Sequence, residues 1–267
     1  MAKTSTPKAE LATNTEPQLA TKRFIIAVSE QGSVGKSFFL TSLAHYLSVH
    51  PGMPKVAIYE TDEKPTLKSF YPDTTKIDLT ETRQLDQIFV GLSNSDVSLV
   101  DGMAGVFTRI FKSWGEEVLF FEAARQIGAA ITFVLVVDDN LKYIAESHRI
   151  LEATPPDVEW LIVQNHHTLQ PTGKKELTDW LESENRKRFL SRGAQEITLD
   201  RLEDRCRDLV QRFHHAPGEL AATNPLGLNL MDHNRFVRFS RDLYAQLDTC
   251  TDLLLPPAVA YAKQPAA

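Results

Sequence analysis

"RFIIAVSEQGSVGKSFFL" spans residues 23–40, and its reading decides the fold. A short apolar run, Arg23 to Val28, reads as a buried strand. It leads into a glycine-bearing turn, then Lys36-Ser37, then Phe39, Leu40, Leu43 and Leu47 at helical spacing. Strand, glycine-bearing turn and helix, in that order, are the context a phosphate-binding loop requires. Backbone N–H groups and a helix N-terminus face one anion together there, and glycine lets the backbone come close. The expected nucleotide-binding residues are therefore Gly32, Ser33, Val34, Gly35, Lys36, Ser37 and Phe38. Lys36 would reach the β- and γ-phosphates, and the Ser37 hydroxyl would bind Mg2+. Glu30 stands where the full G-x-x-x-x-G-K-[ST] pattern has its first glycine. The rival reading is a chance Gly-Lys-Ser at an ordinary strand–helix turn; the flanking elements weigh against it.

Further apolar runs follow at regular intervals. "KVAIYE" (55–60), "VSLVDG" (97–102), "ITFVLVV" (131–137), "VEWLIVQN" (158–165) and "AQEITL" (194–199) read as strands. Helices are expected over 36–50, 85–93, 108–128 with a break at Gly115, and 141–154 before Pro155 and Pro156. Continuous apolar strands alternating with helices mean a parallel sheet covered on both faces. The expected fold is a three-layer α/β P-loop NTPase with a mainly parallel sheet. From about residue 170 the pattern turns helical and charged, with helices expected over 174–191, 199–213 and 234–250. Residues 1–22 carry no apolar periodicity and read as a disordered, weakly basic tail. The final 12 residues, 256–267, read as frayed, which leaves one domain over 23–255.

Ligands on such sheets gather at the carboxyl ends of the strands. Three of those ends carry polar groups suited to a nucleotide. The second has Glu60-Thr61-Asp62, the third Asp101-Gly102 with Gly105 shortly after, and the fifth Asn165-His166-His167. Phosphoryl transfer needs charge neutralisation and an oriented nucleophile more than covalent help from the protein. Carboxylates at Asp62 and Asp101 fit that need; a solvated acidic loop and a generic Asp-Gly turn are the plainer readings. An amide at Asn165 offers a donor and an acceptor at once, which suits adenine.

"QGSVGKS" (31–37) resembles the loop of the ParA/MinD family of deviant Walker ATPases, whose usual form is K-G-G-x-G-K-[ST]. The resemblance covers about residues 23–165. It implies ATP and Mg2+ as ligands, and a nucleotide-dependent homodimer that sandwiches two nucleotides. It gives Lys36 and Asp62 catalytic roles, with Asp62 positioning the attacking water. It puts Asp101 on the metal through water, Gly102 and Gly105 in a switch loop, and Asn165 on the adenine edge. Gln31 stands at the signature lysine, Ser33 at the second loop glycine and Met103 at the switch proline, so slow hydrolysis is expected. The whole chain looks most like the plasmid-borne branch (StbB- and TraL-like), which serves plasmid stability, partition or conjugal transfer. That implies a bacterial cytoplasmic, nucleoid-associated protein. Its partners would be non-specific DNA or a plasmid-encoded DNA-binding adaptor. Two alternatives stay open: a nucleotide-binding scaffold that has lost hydrolysis, and a P-loop kinase acting on a small molecule.

Bulk properties narrow the field. A formal charge of −6 argues against wholesale wrapping of nucleic acid. Only Cys206 and Cys250 are present, so neither a disulfide framework nor a zinc site is expected. The longest apolar run, "AAITFVLVV" (129–137), is too short to span a bilayer, and no transmembrane segment or secretory leader is read. Arg235, Arg238 and Arg241, and Arg186, Lys187, Arg188 and Arg192, form two basic groups interleaved with acids. A solvated face is favoured over a DNA contact for both. Trp114, Trp160 and Trp180 read as packing residues, and His166 and His167 as loop histidines rather than metal ligands.

Overall fold

Lys22–Val28 forms β1, and every residue after its first is buried. In the computed structural model, residues 20–29, 32, 34–62, 66–169, 176–257 and 259 are described. The remaining strands are β2 (Val56–Glu60), β3 (Thr75–Lys76), β4 (Val97–Asp101), β5 (Ala129–Val137), β6 (Glu159–Asn165) and β7 (Gln195–Leu199). They form one sheet in the order β3-β2-β4-β1-β5-β6-β7, with every pairing parallel. The chain moves outward from β1 to β3, returns beside β1 as β4, and then crosses to β5. The order therefore reverses around β1, and a crevice opens there at the carboxyl ends.

The helices are α1 (Lys36–Val49), α2 (Leu67–Phe70), α3 (Asp86–Leu92), α4 (Val106–Glu117), α5 (Phe120–Gln126), α6 (Leu141–Glu146) and α7 (His148–Glu152). Beyond β6 come α8 (Thr178–Leu181), α9 (Glu184–Ser191), α10 (Asp204–Phe213), α11 (Pro217–Thr223), α12 (Leu230–Thr249) and α13 (Thr251–Leu254). One face of the sheet is filled by aromatic side chains. Phe24 meets Phe89 and Phe120, Phe120 meets Phe111 and Trp114, and Phe133 links through Trp160 to Phe189. Helices α3, α4, α5 and α9 supply that layer. On the other face α1 packs on β1, β2 and β4, while α12 and α13 pack on β7 and β6. The expected three-layer architecture with a parallel sheet is present, and all three tryptophans are buried.

Several elements differ from the sequence reading. Gly115 stays inside α4, and the break falls at Leu119, whose φ of 51° turns the chain so that Phe120 is buried. The helix expected over 174–191 is two helices, and the Ser183 side chain caps the second by accepting from the Arg186 N–H. Residues 170–175, at its expected start, lie outside the described residues. Helix α10 starts at Asp204 rather than at 199, because the Glu203 carboxylate accepts from the Cys206 N–H and caps it there. Lys22, expected in the tail, opens β1, and Arg23 follows it. Arg23 is fully buried under the sheet and donates to the carbonyls of Leu255 (2.7 Å) and Asp252 (2.5 Å) and to Thr132 Oγ1 (2.5 Å), and it pairs with Glu159. Residues 1–19 of the expected tail, and 258 and 260–267 of the expected frayed end, lie outside the described residues.

Candidate functional site

β1 and β4 are paired with Ala27 opposite Asp101, so both strands end at the same level. Chain geometry after β1 sets the next step. Gly35 adopts φ 93°, a left-handed conformation that glycine takes without a Cβ penalty, and it begins α1. The turn leaves Lys36 and Ser37 at the start of that helix, facing β4. Ser37 Oγ donates to Asp101 Oδ2 at 2.6 Å, and Lys36 Nζ donates to Ser29 Oγ at 2.7 Å.

Burial controls the charges. Asp101 is 4% exposed, and burial pushes its carboxyl up to about 6, against the pull of the Lys36 ammonium and the Ser37 hydroxyl. Asp62 and Glu60 add to the rise. Burial also holds the Lys36 ammonium below its usual range, while Asp101 and Asp62 act in the opposite direction. A buried cation, a buried carboxylate and a hydroxyl thus meet at one strand end. The two oxygens, Ser37 Oγ and Asp101 Oδ2, are hard donors of the kind Mg2+ takes, and the lysine suits a phosphate.

The loops around this centre are tied to one another. Gly102 N–H donates to the Ala27 carbonyl at 3.1 Å, and Gly105 N–H donates to the Ser29 carbonyl at 2.9 Å. Thr61 Oγ1 donates to the Asp101 carbonyl at 3.1 Å and accepts from the Met103 N–H at 2.7 Å. Glu60 is buried and caps α2: its Oε2 accepts from the N–H groups of Thr66, Leu67 and Lys68. This holds Thr61 in place and leaves Asp62 exposed at the mouth. Glu60 is thus a structural brace, whereas Asp62 faces the site.

Asn165 closes the other side. Its Nδ2 donates to the Val34 carbonyl at 2.9 Å, and its Oδ1 accepts from the His167 N–H at 3.0 Å. The amide therefore clamps the turn before α1 to the end of β6. A cavity of about 420 Å3 runs from Gly32, Gly35, Lys36, Ser37 and Asp62 to the ends of β6 and β7 and to α10. That is within the size range of ordinary small-ligand pockets. Phe38 also lines it, and its ring packs on Phe239 of α12, 5.9 Å between centroids.

No protein-family model and no curated protein matches the sequence. Among solved structures, the chain is similar to the MinC:MinD cell division complex of Aquifex aeolicus, with 13% identity, 84% of this chain and 96% of that one covered, and a TM-score of 0.44. It is similar to a point variant of Cyanothece McdA in complex with ATP, with 10% identity, 84% and 97% covered, and a TM-score of 0.46. A third is FlhF complexed with GMPPNP and Mg2+, with 16% identity, 68% and 65% covered, and a TM-score of 0.38.

Of the residues expected from sequence, the structure brings Gly32, Val34, Gly35, Lys36, Ser37, Asp62, Asp101, Gly102, Gly105 and Asn165 to one end of the sheet. Glu30, Gln31 and Ser33 lie outside the described residues. Three participants escaped the sequence reading. Ser29 and Thr61 are short polar residues with no motif to mark them. Arg207 comes from α10, far along the chain, and bonds to His167 beside the cavity. His166 faces Asp200 at 3.9 Å, and among the described residues no group of three potential metal ligands forms. All but Arg192 of the two basic groups carry carboxylate partners among the described residues: Arg186 with Glu196, Lys187 with Glu184, Arg188 with Glu152, Arg235 with Asp232, and Arg238 and Arg241 with Asp242; Arg192 donates to the carbonyls of Thr154 and Pro155. Among the described residues no helix is long and apolar enough to cross a membrane.

Proposed function

We propose that this cleft binds ATP with Mg2+ and that the chain is a ParA/MinD-like nucleotide-switch ATPase. One observation carries the reading: Lys36, Ser37 and Asp101 converge at the end of β1, with Ser37 Oγ and Asp101 Oδ2 at 2.6 Å. Polyphosphate would sit on the N–H groups at the start of α1, with its charge met by Lys36. Ser37 and Asp101, the latter through water, would hold Mg2+, which supplies charge neutralisation on the phosphates. Asp62, at the mouth, would orient the attacking water. Asn165 would present its remaining amide hydrogen toward adenine while keeping the loop in place.

The Gly102–Gly105 segment is the natural switch. Its ties to Ala27, Ser29 and Thr61 all run to elements that flank the phosphate site. A γ-phosphate arriving at Lys36 would reset those ties and pass the change to α4, which starts at Gly105. The resemblance of the loop supports a nucleotide-dependent homodimer, and the overall look of the chain supports a role in plasmid partition, stability or conjugal transfer in the bacterial cytoplasm. Partners there would be nucleoid DNA or a plasmid-encoded DNA-binding adaptor.

The test is nucleotide affinity and phosphate release by wild type and Lys36→Ala. Magnesium-dependent ATP binding and turnover, both lost in the variant, are expected. Absence of magnesium-dependent ATP affinity in the wild type overturns the reading. Gln31, at the signature-lysine position, favours a second reading, a scaffold that binds without hydrolysis. Binding without phosphate release, alone and with DNA, would select it.

A further inference from the structure

The cavity has two chemically distinct ends. The one at Lys36 and Ser37 suits phosphate. The other has an apolar floor of Leu199, Leu202 and Val210, all buried, and a polar rim that includes His167 and Arg207. No phosphate chemistry is needed there, and an apolar floor with a few polar groups is what a heteroaromatic ring requires.

Asn165 has limited capacity to read that ring. Its Oδ1 is taken by the His167 N–H, and one of its two amide hydrogens by the Val34 carbonyl. One of the oxygen's two acceptor lone pairs and one amide hydrogen are thus already engaged. Recognition at this end therefore draws on further groups beside the remaining Asn165 amide hydrogen.

We infer that Arg207, held by His167, seats the base of the bound nucleotide. Arg207 Nη1 donates to His167 Nε2. That bond fixes the imidazole as an acceptor on Nε2, so Nδ1 carries the ring proton. Burial and the neighbouring Arg207 and Arg201 charges hold His167 below its usual range, with Asp204 opposing, which keeps it neutral in this role. Arg207 Nε is buried without a hydrogen-bond partner among the described residues. A buried, unsatisfied guanidinium N–H costs free energy that an acceptor recovers once the side chain turns toward the cavity it lines. Purine rings offer such acceptors on N1, N3 and N7. The planar guanidinium can also lie against the ring face. Arg207 is thereby a base contact, and His167 a positioning residue that acts through it.

This inference rests on the ATP reading of the same cleft. It is tested by titrating wild type, Arg207→Met, His167→Phe and His167→Gln with Mg·ATP and with inorganic tripolyphosphate, which lacks the base. Arg207→Met keeps the apolar stem, so α10 packing survives; a thermal melt checks this. Expected is an affinity loss for Mg·ATP of about tenfold in Arg207→Met, with tripolyphosphate affinity unchanged. His167→Phe, which removes the acceptor, should show the same split, and His167→Gln, which restores one, should recover most of the loss. Unchanged ATP affinity in a folded Arg207→Met protein overturns the inference and leaves the ATP reading intact. Equal loss of ATP and tripolyphosphate also overturns it, since Arg207 would then act on the site as a whole. A wild type that binds tripolyphosphate as well as ATP removes any base contact. A wild type that binds neither overturns both readings.

Discussion

Asn165 occupies the space that a side chain at Gly35 would need: a Cβ on Gly35 would fall 2.4 Å from Asn165 Nδ2. Gly35 also sits at φ 93°. The end of β6 and the start of α1 can approach this closely only with glycine in the turn. Gly35→Ala therefore meets strain twice, once in the backbone and once against the amide. It should lower stability by about 2 kcal/mol or more and abolish nucleotide affinity. Gly32→Ala is the control for stability, because a Cβ there meets nothing within 4 Å among the described residues. Thermal melts of both variants should separate them, and ATP titration reads the Gly35→Ala loss; equal melts would show that the Asn165 contact does not constrain the turn.

Asp101 gives the ligand-free protein a pH signature. Its carboxyl, with an ordinary value of 3.8, is pushed up to about 6 by burial, with Lys36 and Ser37 opposing. Between those values the folded chain holds a proton that the unfolded chain has released. This carboxyl's contribution to stability therefore falls as pH rises from about 4 to about 6 and is level above that. Asp101→Asn keeps an oxygen for Ser37 and removes the titration. The variant should lose that component of the slope and, above pH 6, be at least as stable as the wild type without ligand. It should also lose magnesium-dependent affinity. Denaturant titrations from pH 4 to 8 on both proteins check this. An unchanged slope in the variant would assign the pH dependence to other groups.

Arg23 is the fastening between the sheet and the chain's last helices. It reaches two carbonyls near α13, the Thr132 hydroxyl on β5 and the Glu159 carboxylate on β6. Arg23→Met fills similar volume but leaves those acceptors unanswered. A loss of about 3 kcal/mol or more is expected, read as a drop in the denaturation midpoint. The contacts lie at the amino end of β1, opposite the phosphate loop, so ATP affinity of the folded fraction should stay within about twofold of wild type. A stable Arg23→Met protein would show that the Thr132 and Gln195 bonds to α13, with its apolar contacts, suffice to dock it.

Much of this was legible in the sequence because fully buried parallel strands write themselves as unbroken apolar runs. β1, β4, β5 and β6 are read that way within two residues. β3 has two residues and no pattern to read, and α2 is four residues held by the Glu60 carboxylate, a contact across sequence. α11 did carry a signal, Pro217 at its first position, which marks a helix start. Gly115 misled because glycine lowers helix propensity without forbidding helix; packing of Phe111 and Trp114 against Phe120 holds α4 together there. At the site, Lys36, Ser37 and Asp101 were visible as motif residues at strand ends. Arg207 was not, because only the folded chain brings α10 to the end of β6.

Asp62 separates binding from turnover. It follows Thr61, whose side chain is pinned between the Asp101 carbonyl and the Met103 N–H, and Glu60, whose carboxylate is pinned by α2. Its own side chain is exposed at the cavity mouth, yet its charge is felt by both Lys36 and Asp101. An exposed carboxylate on a braced loop can meet a water without disturbing the fold. Asp62→Asn should leave stability within about 0.5 kcal/mol and ATP affinity within a few fold. Phosphate release should fall about a hundredfold or more, as when a group that positions the nucleophile is lost. Single-turnover phosphate release beside ATP titration gives both numbers. Glu60→Ala should lower turnover as well, but together with stability, because it frees three N–H groups at the start of α2. Wild-type turnover in Asp62→Asn would assign water positioning to another residue, and a parallel loss of binding would place Asp62 in the metal's water shell instead.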